Sequence, residues 1–115
     1  MSLRPPRFSQ SLSAAESSLN VVQHEIAEDQ AAALGHQAIR AEKAMEALHN
    51  HDASGADDPE TRDRLVRKAA YAVWALFIQR ELMGMRDHSY IKREYKIPGE
   101  VLNRMGEASI ATDPD

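Results

Sequence analysis

Residues 69–78, Ala-Ala-Tyr-Ala-Val-Trp-Ala-Leu-Phe-Ile, carry no charge, and they stand between two polar flanks, residues 62–68 and Arg80-Glu81. They include the only Trp of the chain. A helix written this way is apolar around most of its circumference, so one neighbouring helix cannot cover it and at least two surfaces must pack on it. Self-association is the expectation. The segment is too short to span a bilayer, which takes about 20 apolar residues, so no membrane partner is expected.

At 115 residues the chain amounts to one domain, and the surface-to-volume ratio of so small a monomer leaves it only moderately stable. Hydrophobic residues make up 43%, mainly Ala and Leu, with 5% aromatic and 28% charged, a balance that suits packed helices. Gly and Pro cluster near the ends and joints, whereas a strand protein would need them as regular turn signals. The absence of cysteine excludes disulfides, thiolate metal sites and cysteine nucleophiles, and it fits a reducing compartment. Behind Arg4 and Arg7 stands Phe8-Ser9-Gln10-Ser11 rather than the apolar core of a secretion signal, so a cytoplasmic location is expected.

Pro5-Pro6 and several Ser mark residues 1–12 as a disordered or extended arm. Ser13-Ala14-Ala15-Glu16 then has the form of a capping box, and strong helix formers with no Pro continue to about His49. The apolar stripe of this long helix starts as Ala15, Leu19, Val22 and Ile26. It keeps facing one way only if it then shifts to Leu34, Ala38, Ala41, Met45 and Leu48, a stutter beside Gly35. At Gly35 a bend and a close helix approach are both open readings. Residues 50–58 are a polar connection, after which Asp58-Pro59-Glu60 combines an N-cap, a first-turn Pro and a first-turn acid. The second helix runs to about Met83, with Gly84 placed for a left-handed cap. A short helix capped by Asp87 or Ser89 follows, and Pro98 opens another that Gly106 closes. Residues 13–106 thus form one helical domain, and 107–115 a flexible acidic tail.

Catalytic templates are missing: there is no Gly-rich phosphate loop and no nucleophile elbow, and enzyme activity is not expected. His24 and Glu28 share a helix face, but the zinc-protease pattern requires a second His where Glu28 stands. Glu46 and His49 have the Glu-x-x-His spacing of di-metal bundles, which a symmetric dimer would duplicate. His49, His51 and Asp52 also lie close in sequence. Each set reads more simply as solvated polar side chains, so no metal or cofactor is expected, and a di-metal carboxylate bundle stands as a second alternative. Charge is split: residues 8–58 sum to −7 and residues 59–105 to +4, within a net −4. Two basic clusters, Arg62, Arg64, Arg67 and Lys68, then Lys92, Arg93 and Lys96, make nucleic-acid binding the first alternative. Opposite an acidic first helix they would be largely neutralised.

The string Tyr95-Lys96-Ile97-Pro98-Gly99-Glu100-Val101-Leu102-Asn103-Arg104-Met105-Gly106, behind a long helical hairpin, resembles the ending of a small uncharacterised bacterial family of all-helical proteins. The resemblance covers the last third of the chain. It implies a helical fold and a bacterial origin, and it transfers no activity or site residue. The expected fold is therefore all-α: a long antiparallel hairpin plus short C-terminal helices, pairing into a homodimeric bundle through Tyr71, Trp74, Leu76, Phe77 and Ile78 with Leu19, Val22 and Ile26. The expected role is that of a protein-protein interaction or scaffold module, whose partner is a second copy or another protein.

Overall fold

A computed structural model of the chain describes residues 7–108, with side chains from Ser13 onward. Five helices follow in order: α1 Arg7–Ser54, α2 Pro59–Leu82, α3 Ser89–Glu94, α4 Gly99–Asn103 and α5 Met105–Ala108. No strand occurs among the described residues, and the all-α expectation holds.

Helix α1 is longer at both ends than its sequence signals suggested. It begins at Arg7, so Ser13 lies inside the helix instead of capping it, and of the expected arm only residues 1–6 fall outside the described residues. No Pro occurs between Pro6 and Pro59, and once a helix is nucleated each further turn orders few residues per hydrogen bond, so an internal Ser does not stop it. At the other end α1 passes His49 to Ser54. There the Ser54 hydroxyl donates to the His51 carbonyl at 2.6 Å and accepts from the Ala56 amide at 3.2 Å, while Gly55 turns the chain at φ 72°.

The chain divides into two compact units, Met1–Ala32 and Ala33–Asp115. In the first, none of the side chains of residues 13–32 is buried: Leu19 is 55% exposed, Val22 48% and Ile26 50%. The second holds the core. Ala41, Ala44, Met45 and Leu48 of α1 pack with the buried arc of α2, namely Val66, Ala69, Ala70, Ala72, Val73, Leu76 and Phe77, and with Ile91, Ile97 and Val101 from the C-terminal segment. Later residues of α1 meet earlier residues of α2: the Arg40 guanidinium lies 5.1 Å from the Tyr71 ring centroid, whereas Asp52 binds Arg62. The pair is antiparallel, as the short connection requires. Alanines on both sides let the helices approach closely, because interaxial distance follows side-chain size.

Of the residues expected from sequence at a dimer or core interface, Leu76 and Phe77 belong to the core of the single chain and are 1% and 6% exposed. The physical reason is that α4 and α5 also pack on α2 and supply a second covering surface from the same polypeptide. At about 100° per residue, the buried positions of α2 occupy roughly 160° of its circumference. Tyr71, Trp74, Ala75, Ile78 and Leu82 lie on the remaining side.

The joints follow local chemistry. Asp58 Oδ1 accepts from the Thr61 amide at 3.2 Å, and Pro59 occupies the first turn. At the end of α2 the Gly84 amide donates to the Glu81 carbonyl at 3.0 Å and the Met85 amide to the Arg80 carbonyl at 2.9 Å, a Schellman motif with Gly84 at φ 86°. The N-cap position of α3 falls to His88, which makes no side-chain cap bond, rather than to either expected cap; Asp87, one residue earlier, accepts from the Ser89 amide at 3.0 Å. The end of α3 repeats the Schellman pattern with Lys96 in the left-handed position at φ 50°. Gly106 does not close the last helix. It lies within α5, a turn of helix that buries Ala108, 5% exposed, against the core. The tail from residue 109 lies outside the described residues.

Two stability predictions follow. A Cβ on Gly84 would meet nothing within 4 Å, so Gly84→Ala carries only the left-handed backbone cost and should lower unfolding free energy by about 1–2 kcal/mol. Leu48→Ala, at a fully buried site, should cost about 2–5 kcal/mol, and urea titrations followed by circular dichroism read both variants.

Candidate functional site

The uncovered side of α2 is the feature most open to function. Tyr71, Trp74, Ala75, Ile78 and Leu82 recur at spacings of three and four, which puts them on one helical face. Tyr71 and Trp74 are half-buried, their rings 5.5 Å apart and tilted by 58°, and Arg40 covers the Tyr71 ring from α1. Ile78 and Leu82 are 40% and 68% exposed. The same face begins, in the first turns of α2, with the exposed side chains of Arg64 and Arg67. Of the interface residues expected from sequence, then, Tyr71, Trp74 and Ile78 line this face, and Leu76 and Phe77 do not. Leu19, Val22 and Ile26 form an exposed apolar stripe of their own in the first unit.

Near the start of α2, Arg62 and Arg67 are held by carboxylates. Arg62 donates through Nε and Nη2 to Asp52 at 2.9 and 3.2 Å, and through Nη1 to Glu100 Oε2 at 3.0 Å, so one guanidinium ties α1, α2 and α4 together. Its Nη2 also bonds Glu100 Oε1. Arg104 reaches Asp63 at 2.6 Å and Glu107 at 3.2 Å, and Arg67 pairs with Asp63 one turn away at 3.1 Å. Hydrogen bonds from Arg62 hold the carboxyl groups of Asp52 and Glu100 below their ordinary range, and one from Arg104 does the same for Asp63. Asp52 of the acidic first helix takes part in this neutralisation, and so do Asp63, Glu100 and Glu107 from α2, α4 and α5.

The candidate metal ligands remain apart. His24 Nε2 lies 2.9 Å from Glu28 Oε1, an exposed pair that satisfies itself. His49 Nε2 donates to the Tyr95 carbonyl at 3.1 Å, joining α1 to the end of α3. His51 is tucked against the end of α1, 3.8 Å from Asp52, and its ring nitrogens are buried without hydrogen-bond partners. Among the described residues no three His, Cys, Asp or Glu side chains come together as a metal site. His36 is exposed. His88, to which the sequence attached no role, stacks on Phe77 with centroids 4.0 Å apart and planes within 5°. Its Nδ1 accepts from Arg80 Nε at 3.1 Å, which leaves Nε2 to donate to Glu81 Oε1 at 3.3 Å. This ring brackets α3 onto the end of α2. Its only advance signal was its position just beyond a helix cap.

No helix among the described residues is long and apolar enough to cross a membrane. The chain belongs to DUF6665, a family of unknown function, which it matches over residues 1–113. No curated protein and no solved structure matches it. Membership agrees with the resemblance seen in the C-terminal string and extends it along the chain, and it brings no specific function.

The lowered carboxyl groups make stability depend on acid. A carboxylate whose folded pKa lies below its unfolded value of about 4 stabilises the fold above that value, and the contribution is lost as pH falls through the folded pKa. For these groups melting temperature should be level from pH 7 to 5 and fall below about pH 4. In Arg62→Met the melting temperature should be lower at pH 7 and the acid-dependent fall shallower, which thermal melts by circular dichroism would read.

Proposed function

We propose that this DUF6665 member works as a homodimeric protein-protein interaction or scaffold module, without a catalytic role, in the cytoplasm. The observation that carries the reading is the apolar face of α2, where Ile78 is 40% and Leu82 68% exposed beside half-buried Tyr71 and Trp74 even after α1, α4 and α5 have packed on the helix. A contiguous apolar face rimmed by charge is a common mark of a protein interface. The small size of the chain adds to the argument, because association buries surface that one copy of this length cannot.

Charge favours a protein over nucleic acid as partner. Phosphate-backbone binding depends on cationic side chains that can exchange counterions for phosphate. Arg62, Arg67 and Arg104 are already bound by Asp52, Glu100, Asp63 and Glu107.

Light scattering at micromolar concentration should give twice the 12.8 kDa chain mass. A clean monomer there would sink the proposal. Ile78→Glu, at an exposed position outside the core, should weaken the dimer about tenfold or more while leaving helical content unchanged.

A further inference from the structure

Which surface covers the α2 face is a separate question, and its answer rests on the dimer reading above. We infer that the cover is residues 13–32 of α1 from a second copy, laid antiparallel across the face. Spacing is the first argument. The stripe Ala15, Leu19, Val22, Ile26 advances by four, three and four residues, and Leu82, Ile78, Ala75, Tyr71 retreats by the same steps. At 1.5 Å per residue both stripes are about 16 Å long. Each is open on its own unit, with Leu19, Val22 and Ile26 about half exposed.

Charge is the second argument, and it selects both partner and direction. Residues 13–32 contain Glu16, Glu25, Glu28 and Asp29 and no Lys or Arg. Two such segments packed on each other would set acid against acid, and two α2 faces laid parallel would set Arg64 against its copy. Segment on face sets acid against base. The spacing fits either direction, but a parallel arrangement carries Glu25 and Asp29 toward Glu81 at the end of α2, whereas the antiparallel one leaves Glu16 alone near Glu81. Antiparallel, Ile26 meets Tyr71, Leu19 meets Ile78, and Asp29, beside the stripe, continues toward Arg64. Opposed helix dipoles favour the same direction. A two-fold axis lets each copy cover the other, which closes the assembly at two chains.

The chain has no cysteine, so introduced thiols report contacts without background. Leu19→Cys and Ile78→Cys are prepared as full-length single variants, mixed, allowed to exchange subunits and oxidised mildly. Within a bound pair the thiols face each other at millimolar effective concentration, so the mixed-chain disulfide should exceed either self-linked product by about tenfold or more. Self-linking of Leu19→Cys alone would place segment on segment. Self-linking of Ile78→Cys alone would place α2 on α2, and closure within one chain of the double variant would make the cover intramolecular. Any of these overturns the inference. Light scattering on the same samples separates the two levels: a monomer removes the dimer reading itself, whereas a dimer with the wrong cross-link removes only this assignment. Independently of thiols, Leu19→Glu, on a residue outside the core, should convert the dimer to monomer, and an unchanged dimer would overturn the inference.

Discussion

Burial of one arc of α2 is the constraint on which the rest of the structure depends. Val66, Ala69, Ala70, Ala72, Val73, Leu76 and Phe77 form that arc, and neither α1 nor the C-terminal helices alone could exclude water from it. Helices of five or four residues such as α4 and α5 have no independent stability, since so short a helix does not recover the cost of nucleation. They exist because Val101 and Ala108 are buried against the core.

Around this arc the polar interactions act as fasteners. Arg62 joins three helices at one end through two carboxylates, and at the other end the His88 ring, held between Phe77, Arg80 and Glu81, fixes α3 to the close of α2. His49 and Tyr95 cross-link α1 to the same segment, since Tyr95 accepts from the imidazole and its hydroxyl donates to the Ala38 carbonyl at 3.4 Å. The surface pairs contribute little individually. Together they set register, and they occupy cationic groups that sequence alone would leave open to phosphate.

Legibility varied with the range of the interaction. The start and end of α2 were readable because Asp58, Pro59 and Gly84 act within one turn of themselves. The start of α1 was not, since a capping box is permissive inside a helix that has already begun, and neither was Gly106, which lies in a turn of helix formed by packing on α2. The uncovered face was legible in part. Tyr71, Trp74 and Ile78, which the uncharged stretch marks as apolar, line it, whereas Leu82 was passed over because it stands beyond that stretch, after Gln79-Arg80-Glu81. His88 was beyond reach, since ring stacking on Phe77 depends on how the chain reverses after α2.

What the sequence by itself determined is the all-helical class, the positions of the α2 caps, the stripes on α1 and α2 and the split of charge between the two halves. These follow from periodicity and from side chains acting on their own backbone. Only the tertiary structure decided which of the apolar residues in 69–78 are spent on the chain's own core. Two helices too short to announce themselves by periodicity fold back onto α2, so Leu76 and Phe77 are buried within one chain while Ile78 and Leu82 stay accessible. Which side of an apolar helix remains open is set by the packing of distant segments, a long-range property that no local pattern encodes.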